Sequence, residues 1–394
     1  MIGNVEGGAK SGEIKYSFVA GFAATILVGI AGAFISIAMP GILLAISQSA
    51  EFPADRAAMF ASTELCGMLA SILFIGKLLN SKHRKTILVF AMAAIIVGNF
   101  ASVFVYKSNV LLLARLLAGI GEGVAVAALG AAAASFSNPD RLFALFMSTN
   151  MGLVTAYLFF LPRIIAASGI ESAFLVLVGL GVVGLLALPY FPSAIESKSA
   201  APRSAAKVRP RGFSAGAVLG LAGCLGLNTG VGMVWPFMGA LGSARGISSE
   251  AISTDLAMAT FGGIAAGFSA ALLGLRCGRR LPLIIGTLAL VLSSIGLVSD
   301  TANYSLCAIL FLFSWVFVTS YFMGTVAAVE DGGRAAVFIP AAQLGGLALG
   351  PQLSALVIDN FSLSWMVAGG SAICIMSALC ALIGNSSRQK QLAA

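Results

Sequence analysis

Charged residues are scarce in this sequence: 10% of its 394 residues are Asp, Glu, Lys or Arg, whereas 59% are hydrophobic. The mean hydropathy of +1.00 is far above that of a typical water-soluble domain. Polar stretches long enough to build a soluble domain are missing as well. These absences exclude a soluble enzyme or binding module, so the function must reside in membrane-embedded segments.

Motifs for metal, redox and nucleotide chemistry are also missing. The chain has a single histidine, His83, and six scattered cysteines without a CxxC pair, which excludes a His-built metal site and a redox motif. It contains no GxxxxGK[ST] segment, so nothing supports ATP-driven pumping. No His–carboxylate cluster or paired-Asp motif supports an intramembrane enzyme. We therefore expect no cofactor, no metal and no enzymatic activity.

Long apolar segments dominate the sequence instead. A helix needs about 20 apolar residues to cross a hydrocarbon core of roughly 30 Å. Twelve stretches meet this requirement: 17–47, 54–76, 86–105, 109–135, 142–167, 172–191, 213–241, 251–274, 281–299, 304–328, 335–358 and 363–384. The sequence thus predicts an all-α membrane protein with twelve transmembrane helices in contact with the lipid bilayer.

The distribution of basic residues predicts the orientation. If both termini are cytoplasmic, the cytoplasmic segments hold 18 of the 23 Lys and Arg residues, the external segments hold four, and Arg115 lies in a span. This asymmetry is the one that the positive-inside rule describes. The net charge of +8 is then an orientation signal and requires no nucleic-acid partner. We expect a multi-pass protein of the plasma (inner) membrane with both termini in the cytoplasm.

The two halves of the chain resemble each other. The segments His83-Arg84-Lys85 and Gly278-Arg279-Arg280 are 195 residues apart, Pro40 and Pro236 are 196 apart, and Arg141 and Arg334 are 193 apart. These near-equal offsets indicate a duplicated six-helix unit. A basic segment rich in Pro, Ser and Ala lies between the copies. We therefore divide the chain into a six-helix half at 1–191, a cytoplasmic linker at 192–212 and a second half at 213–394.

Three ionisable residues lie deep inside predicted spans: Glu64, Arg115 and Glu122. Arg115 and Glu122 are two helical turns apart on one face of the fourth span, and antiparallel packing of the second span places Glu64 at a depth between them. Charges in a membrane interior are costly and are usually functional. The cluster predicts a proton-coupling site, with Glu122 or Glu64 as the proton carrier. The structural alternative is that Arg115 joins helices and Glu122 neutralises it.

Polar and aromatic residues at helical spacing predict the lining of a central cavity. Each pair or group shares one helix face, which would direct it toward the same space. The alternative for each residue is ordinary packing or hydrogen bonding between helices. The candidate cavity residues are Asn150 and Tyr157, Asn228 and Trp235, Trp315 and Thr319, and Gln343.

The loop after the second span and its counterpart in the second half resemble a known motif. Residues 76–85 keep the first Gly and the two closing basic residues of the G-x-x-x-D-R-x-G-R-R motif of the major facilitator superfamily of secondary transporters, but Asn80 stands at the acidic position. The resemblance implies a conformational role for Gly76, Asn80, Arg84, Lys85, Arg276, Gly278, Arg279 and Arg280. The missing acidic residue argues against a latch based on charge.

The fourth span strengthens the resemblance. Residues 115–123 fit the family's R-x-x-x-G-x-G motif, and the added Glu122 resembles the organic-anion and lysolipid-type branches. The Gly-Pro pair of the family's antiporter motif is missing from the fifth span. Together with twelve spans and a 6+6 duplication, the resemblance implies two pseudo-symmetric six-helix bundles with a substrate site between them.

The predicted function is secondary active transport of a small organic solute by alternating access. We expect proton symport of an organic anion, with Arg115 as the anion's partner or as a modulator of Glu122, and a protein functional as a monomer. An alternative is a proton-antiport exporter of drugs or metabolites. Alternatives from other classes are an intramembrane enzyme or receptor and a channel. Saturable flux that responds to a pH gradient distinguishes a carrier from these.

Overall fold

The computed structural model describes residues 6–47, 54–75, 78–79, 83–105, 110–133, 136, 139–192, 213–329 and 335–393, and all regular structure in these ranges is helical. The helices of the first half are α1 (Glu6–Ser47), α2 (Ala54–Phe74), α3 (Arg84–Val105), α4 (Val110–Ala133), α5 (Pro139–Ser168) and α6 (Glu171–Ala187). Those of the second half are α7 (Ala215–Val234), α8 (Met238–Ala244), α9 (Ser249–Leu273), α10 (Arg280–Leu297), α11 (Tyr304–Val329), α12 (Ile339–Asn360) and α13 (Leu363–Ala393).

The prediction of twelve membrane-spanning helices is confirmed. Twelve helical segments are long and apolar enough to cross a bilayer, and each overlaps one of the predicted stretches. The seventh span, Ala215–Ala244, is interrupted by a 3₁₀ turn at Trp235–Phe237 that separates α7 from α8. Pro236 explains the interruption, because its ring removes one backbone hydrogen bond of a continuous α-helix.

The helices form two bundles with the same pattern of neighbours. In the first bundle α4 packs on α2 and α3, and α1 packs on α5 and α6; in the second, α11 packs on α9 and α10, and α7 packs on α12 and α13. Each helix of the first bundle thus has a counterpart with equivalent partners in the second. The expected linker at 192–212 lies, except for its first residue, outside the described residues.

Glycines allow the helices of the first bundle to approach closely. Gly119 of α4 lies directly against the backbone carbonyl of Glu64 on α2, where a side chain would collide with it. One turn away, a methyl group at Gly67 would come within 2.7 Å of the carbonyl oxygen of Leu116. Small residues at such crossings let helix backbones touch in a membrane. This contact fixes the depth of α2 relative to α4 and therefore positions the charged residues on both helices.

The two bundles meet along three pairs of helices: α2 with α12, α5 with α9, and α1 with α8 and the turn before it. Trp235 Nε1 donates a hydrogen bond to the carbonyl oxygen of Ser36 at 3.3 Å, and Leu44 covers Gly239. At the end of α5, Arg163 Nη2 lies 3.3 Å from Glu250 Oε1 of α9. These contacts join the bundles on the side where α1 and α5 end and α9 begins.

Candidate functional site

The three charged residues predicted to cluster lie together inside the first bundle. Arg115 Nη1 is 2.9 Å from Glu64 Oε1, and both side chains are fully buried. Glu122 is 2% exposed, and its carboxyl group lies close enough to that of Glu64 for the two groups to interact. Glu64 therefore pairs directly with the guanidinium and also interacts with the second carboxyl group.

Arg115 is surrounded by acceptors and by aromatic rings. Its Nε and Nη2 atoms donate to Ser102 Oγ at 3.2 and 2.9 Å, and Nη2 also donates to Asn99 Oδ1 at 3.0 Å. A further Nη2 contact reaches the carbonyl oxygen of Gly98 at 3.2 Å. The aromatic contacts come from α2 and α6: the rings of Phe60 and Phe174 have centroids 5.3 and 5.4 Å from the guanidinium carbon. Such contacts stabilise a buried cation.

In the described structure, one oxygen atom of each of these two carboxyl groups has no hydrogen-bond donor. Within the described residues, no hydrogen-bond donor reaches Oε2 of Glu64 or Oε2 of Glu122. An ionised carboxylate only accepts hydrogen bonds, so a bond between two carboxyl groups requires a proton on one of them. Two interacting carboxyl groups beside a single guanidinium are chemically able to share one proton.

The α5 candidates for the cavity lie in the first bundle. Tyr157 packs edge-to-face on Phe34 of α1, and its hydroxyl donates to the carbonyl oxygen of Ala173 at 3.3 Å. Asn150 is 2% exposed, and in the described part of the chain its Oδ1 has no hydrogen-bond partner. Tyr157 is thus occupied by contacts within the bundle, whereas Asn150 has an unused acceptor.

Three candidates of the second bundle form one aromatic–polar cluster. Trp235 lies parallel to Phe311 at a centroid distance of 6.3 Å and next to Trp315 at 5.9 Å. Trp315 Nε1 donates to Asn228 Oδ1 at 3.4 Å. Because Trp235 also binds the Ser36 carbonyl of α1, this cluster reaches from the second bundle to the first. The structure brings Asn228, Trp235 and Trp315 together in a buried cluster, and their role in lining a cavity stays a prediction.

The remaining cavity candidates lie outside that cluster. Thr319 of α11 is half-buried, and its Oγ1 has no partner among the described residues. Gln343 of α12 is also half-buried. Gln343 lies two residues before Gly345, which faces Leu69 of α2 across the boundary between the bundles.

In the described part of the loop motif, the basic residues Arg84 and Lys85 donate hydrogen bonds to backbone carbonyl groups. Arg84 Nε donates to Leu79 O at 2.5 Å, and its Nη1 donates to Pro192 O at 3.4 Å. Lys85 Nζ donates to Pro189 O at 2.9 Å. These bonds hold the start of α3 to the end of the sixth span. Gly76 and Asn80 lie outside the described residues.

The counterpart of this motif forms the turn between α9 and α10. Arg276 and Gly278 belong to the turn, where Gly278 has φ of 65°, a conformation that glycine adopts without strain. Arg279 lies next to Gly324 of α11, and Arg280 begins α10. The second copy therefore retains the basic turn at the equivalent position.

Two residues of the charged site were missed by the sequence analysis: Asn99 and Ser102 of α3. They are three residues apart on one face of an otherwise apolar span. That spacing was a usable signal, because polar side chains within a span tend to face protein.

The sequence analysis also missed a contact between the two bundles. The hydroxyl groups of Thr155 of α5 and Thr260 of α9 are in direct hydrogen-bond contact.

A separate pocket of 320 Å³ lies between α1, α5 and α9. Its walls are mainly apolar residues of the first bundle, and Ser249, Glu250 and Ser253 line the side formed by α9. The pocket contains none of the three clustered charges. Among the described residues, no group of three or more His, Cys, Asp or Glu side chains is placed to hold a metal ion.

Comparison with known proteins identifies related folds. The family model described as Major Facilitator Superfamily matches residues 21–229, which is more than half of the chain. Among solved structures, the crystal structure of D-xylose-proton symporter aligns with a TM-score of 0.72 and 15% sequence identity, covering 93% of this chain and 97% of that chain. At this identity the likeness concerns the fold alone. No curated protein sequence matches the chain.

Proposed function

Because the chain belongs to the major facilitator superfamily, we propose that it is a transporter that couples a small organic solute to protons. The observation that carries the coupling is the buried Glu64–Glu122 pair beside one guanidinium. With one shared proton, the three side chains sum to zero charge. Loss of that proton leaves a negative charge inside the bundle, which costs several kcal/mol unless the surroundings change.

This energetic penalty links the proton to conformation. A deprotonated pair is tolerated only where water or a solute group can reach it, whereas a protonated pair is compatible with a closed bundle. In alternating access, the two bundles rock about a central site. A contact such as that of Trp235 with the Ser36 carbonyl must break when this face opens. Protonation that favours one arrangement therefore moves substrate and proton together.

Symport is the proposed direction of coupling. The fifth span lacks the Gly-Pro pair of antiporters, and the structurally similar D-xylose-proton symporter is, by its name, a symporter.

We propose that Arg115 acts as the partner of Glu64, because its N–H donors bind protein acceptors and its side chain is fully buried. Arg115 then modulates the carboxyl pair rather than contacting the solute directly.

The proposed substrate class is a small organic anion, which the motif of the fourth span favours. A neutral sugar is the second candidate, because the name of the structurally similar symporter gives D-xylose as its substrate. Uncharged polar side chains such as Thr319 and Gln343 suit hydroxyl groups as well as carboxylates. A panel of small organic acids and sugars, screened for an increase in the melting temperature of the purified protein, separates the two classes.

Flux measurements on purified protein in liposomes test the proposal. We expect uptake of a solute identified by the panel to saturate with concentration and to accelerate when the outside is more acidic than the lumen. A proton ionophore should reduce the gradient-driven rate to that of passive exchange. Flux that rises linearly with concentration would indicate a channel, and saturable flux that ignores the pH gradient would contradict proton coupling.

The proposed orientation places both termini in the cytoplasm of cells that carry the protein in the plasma (inner) membrane. Cys tags at Ser197 and Gln389 should react with a membrane-impermeant maleimide only from the cytoplasmic side, and a tag at Ser248 only from outside. Cys66 and Cys277 are exposed, so both should first be replaced with Ser. Labelling of the Ser197 tag from the external side would overturn this orientation.

A further inference from the structure

We propose that Asn99 and Ser102 of α3 are positioning residues that restrict Arg115 to one carboxyl group and thereby set the pH range of coupling. The inference rests on the proposed function, because it assigns a role within the same proton site. Neither residue carries a charge, and neither contacts Glu64 or Glu122 through a hydrogen bond in the described structure. Their influence on the carboxyl pair acts through the orientation of the guanidinium.

The backbone of α3 fixes which atoms these two residues present to Arg115. Asn99 Nδ2 donates to the carbonyl oxygen of Ile95 at 2.9 Å, so its Oδ1 is the atom that faces the guanidinium. The Ser102 hydroxyl donates to the carbonyl oxygen of Gly98 at 2.7 Å. Its hydrogen is therefore used, and its lone pairs remain available. Both side chains offer only acceptors to Arg115, as a guanidinium requires.

These acceptors occupy one edge of the guanidinium. The edge formed by Nε and Nη2 carries three N–H donors and meets Ser102 Oγ, Asn99 Oδ1 and the Gly98 carbonyl oxygen. The aromatic contacts come from Phe60 and Phe174. The atom directed at a carboxylate is Nη1, and its partner is Glu64 Oε1. In the described structure, the hydrogen bond from Arg115 to a carboxylate therefore goes to Glu64 and not to Glu122.

Few charged groups of the described structure surround the Glu64–Glu122 pair, so the orientation of Arg115 affects how firmly the pair holds a proton. Among the described residues, Arg115 of α4 is the charged group that interacts with both carboxyl groups, and the Tyr157 hydroxyl of α5 interacts with Arg115. The helices α3 and α6 carry their charged residues only at their starts, and α1 has none between residues 19 and 47. With Arg115 held toward Glu64, its ion pair is with Glu64 and not with Glu122 in the described structure, which favours a proton on the pair.

The pH at which uptake is half-maximal tests this role. For Asn99→Asp we expect an upward shift of about 1 pH unit, because an added carboxylate draws the guanidinium toward α3 and places a like charge near the pair. For Asn99→Leu and Ser102→Ala we expect downward shifts, because freed N–H groups can turn toward the carboxyl groups. Ser102→Thr keeps the hydroxyl and should leave the midpoint unchanged.

Ser294→Ala is the matched control. Ser294 of α10 is buried and donates to the carbonyl oxygen four residues earlier at 2.7 Å, as Ser102 does, but it belongs to the second bundle and contacts no guanidinium. Its pH midpoint should equal that of the wild type. Melting temperatures measured in parallel separate lost stability from a shifted profile. A purely structural role would lower the rates and melting temperatures of the α3 variants without opposite shifts of the midpoint.

Failure of this inference is distinguishable from failure of the proposed function. If the wild type transports at a rate independent of pH, the proton-coupling proposal itself falls. If the wild type depends on pH but Asn99→Asp and Ser102→Ala keep its midpoint, the positioning role is wrong and coupling stands. Both variants retain a small side chain at their position, so the measurement remains available even if Asn99→Leu does not fold.

Discussion

Replacing Glu122 with Gln is expected to abolish transport driven by a pH gradient while leaving the protein folded. Gln has nearly the same shape as a protonated Glu and can donate a hydrogen bond to Glu64, but it cannot release a proton. The variant therefore mimics the protonated pair permanently. Proton-driven accumulation should fall at least tenfold, to the rate measured with the gradient collapsed, whereas the melting temperature should change little.

Two measurements make this prediction specific. Exchange of labelled for unlabelled solute across the membrane at equal pH requires no net proton movement, and it should persist in Glu122→Gln. Glu250→Gln is the matched control, because that carboxylate is 68% exposed, pairs only with Arg163 and lies outside the cluster. It should respond to the gradient as the wild type does. An unchanged response of Glu122→Gln would make Glu122 structural and transfer the proton-carrying role to Glu64.

Arg115→Lys is expected to impair transport strongly, and Arg115→Ala more strongly still. Lysine keeps the charge but loses the planar fork that binds Glu64, Asn99 and Ser102 at once. Alanine leaves Glu64 without its cation in a buried site, and breaking a buried ion pair in this way costs about 3–5 kcal/mol. We therefore expect Arg115→Ala to lower both the initial rate and the melting temperature, and Arg115→Lys to lower mainly the rate.

Initial rates beside melting temperatures decide between a mechanistic and a structural Arg115. Arg163→Lys is the control, because Arg163 is 55% exposed and its ion pair with Glu250 lies at the surface of the bundles, where such pairs contribute little. A stable Arg115→Lys protein with a wild-type rate would remove Arg115 from the mechanism. A variant with a lowered melting temperature and a normal rate would make it a helix-packing residue.

Hydropathy and composition were sufficient to predict the class of protein. Each span has to be apolar over its own length because the bilayer surrounds it, so this information is local and readable from consecutive residues. All twelve predicted spans recur as helices, and the broken seventh span follows from Pro236. The same logic singled out Glu64, Arg115 and Glu122, since an ionisable residue in an apolar segment is conspicuous without any knowledge of its neighbours.

Partners of these side chains depended on how the helices rotate and approach one another. The preference of Arg115 for Glu64 over Glu122, its acceptors on α3, and the carbonyl contacts of Arg84 and Lys85 involve residues 5 to 108 positions apart. Hydrophobic periodicity hardly distinguishes the faces of a helix that is apolar all round. Close contacts at glycines such as Gly119 set the depth and rotation of α2 against α4, and these contacts exist only after the bundle has packed.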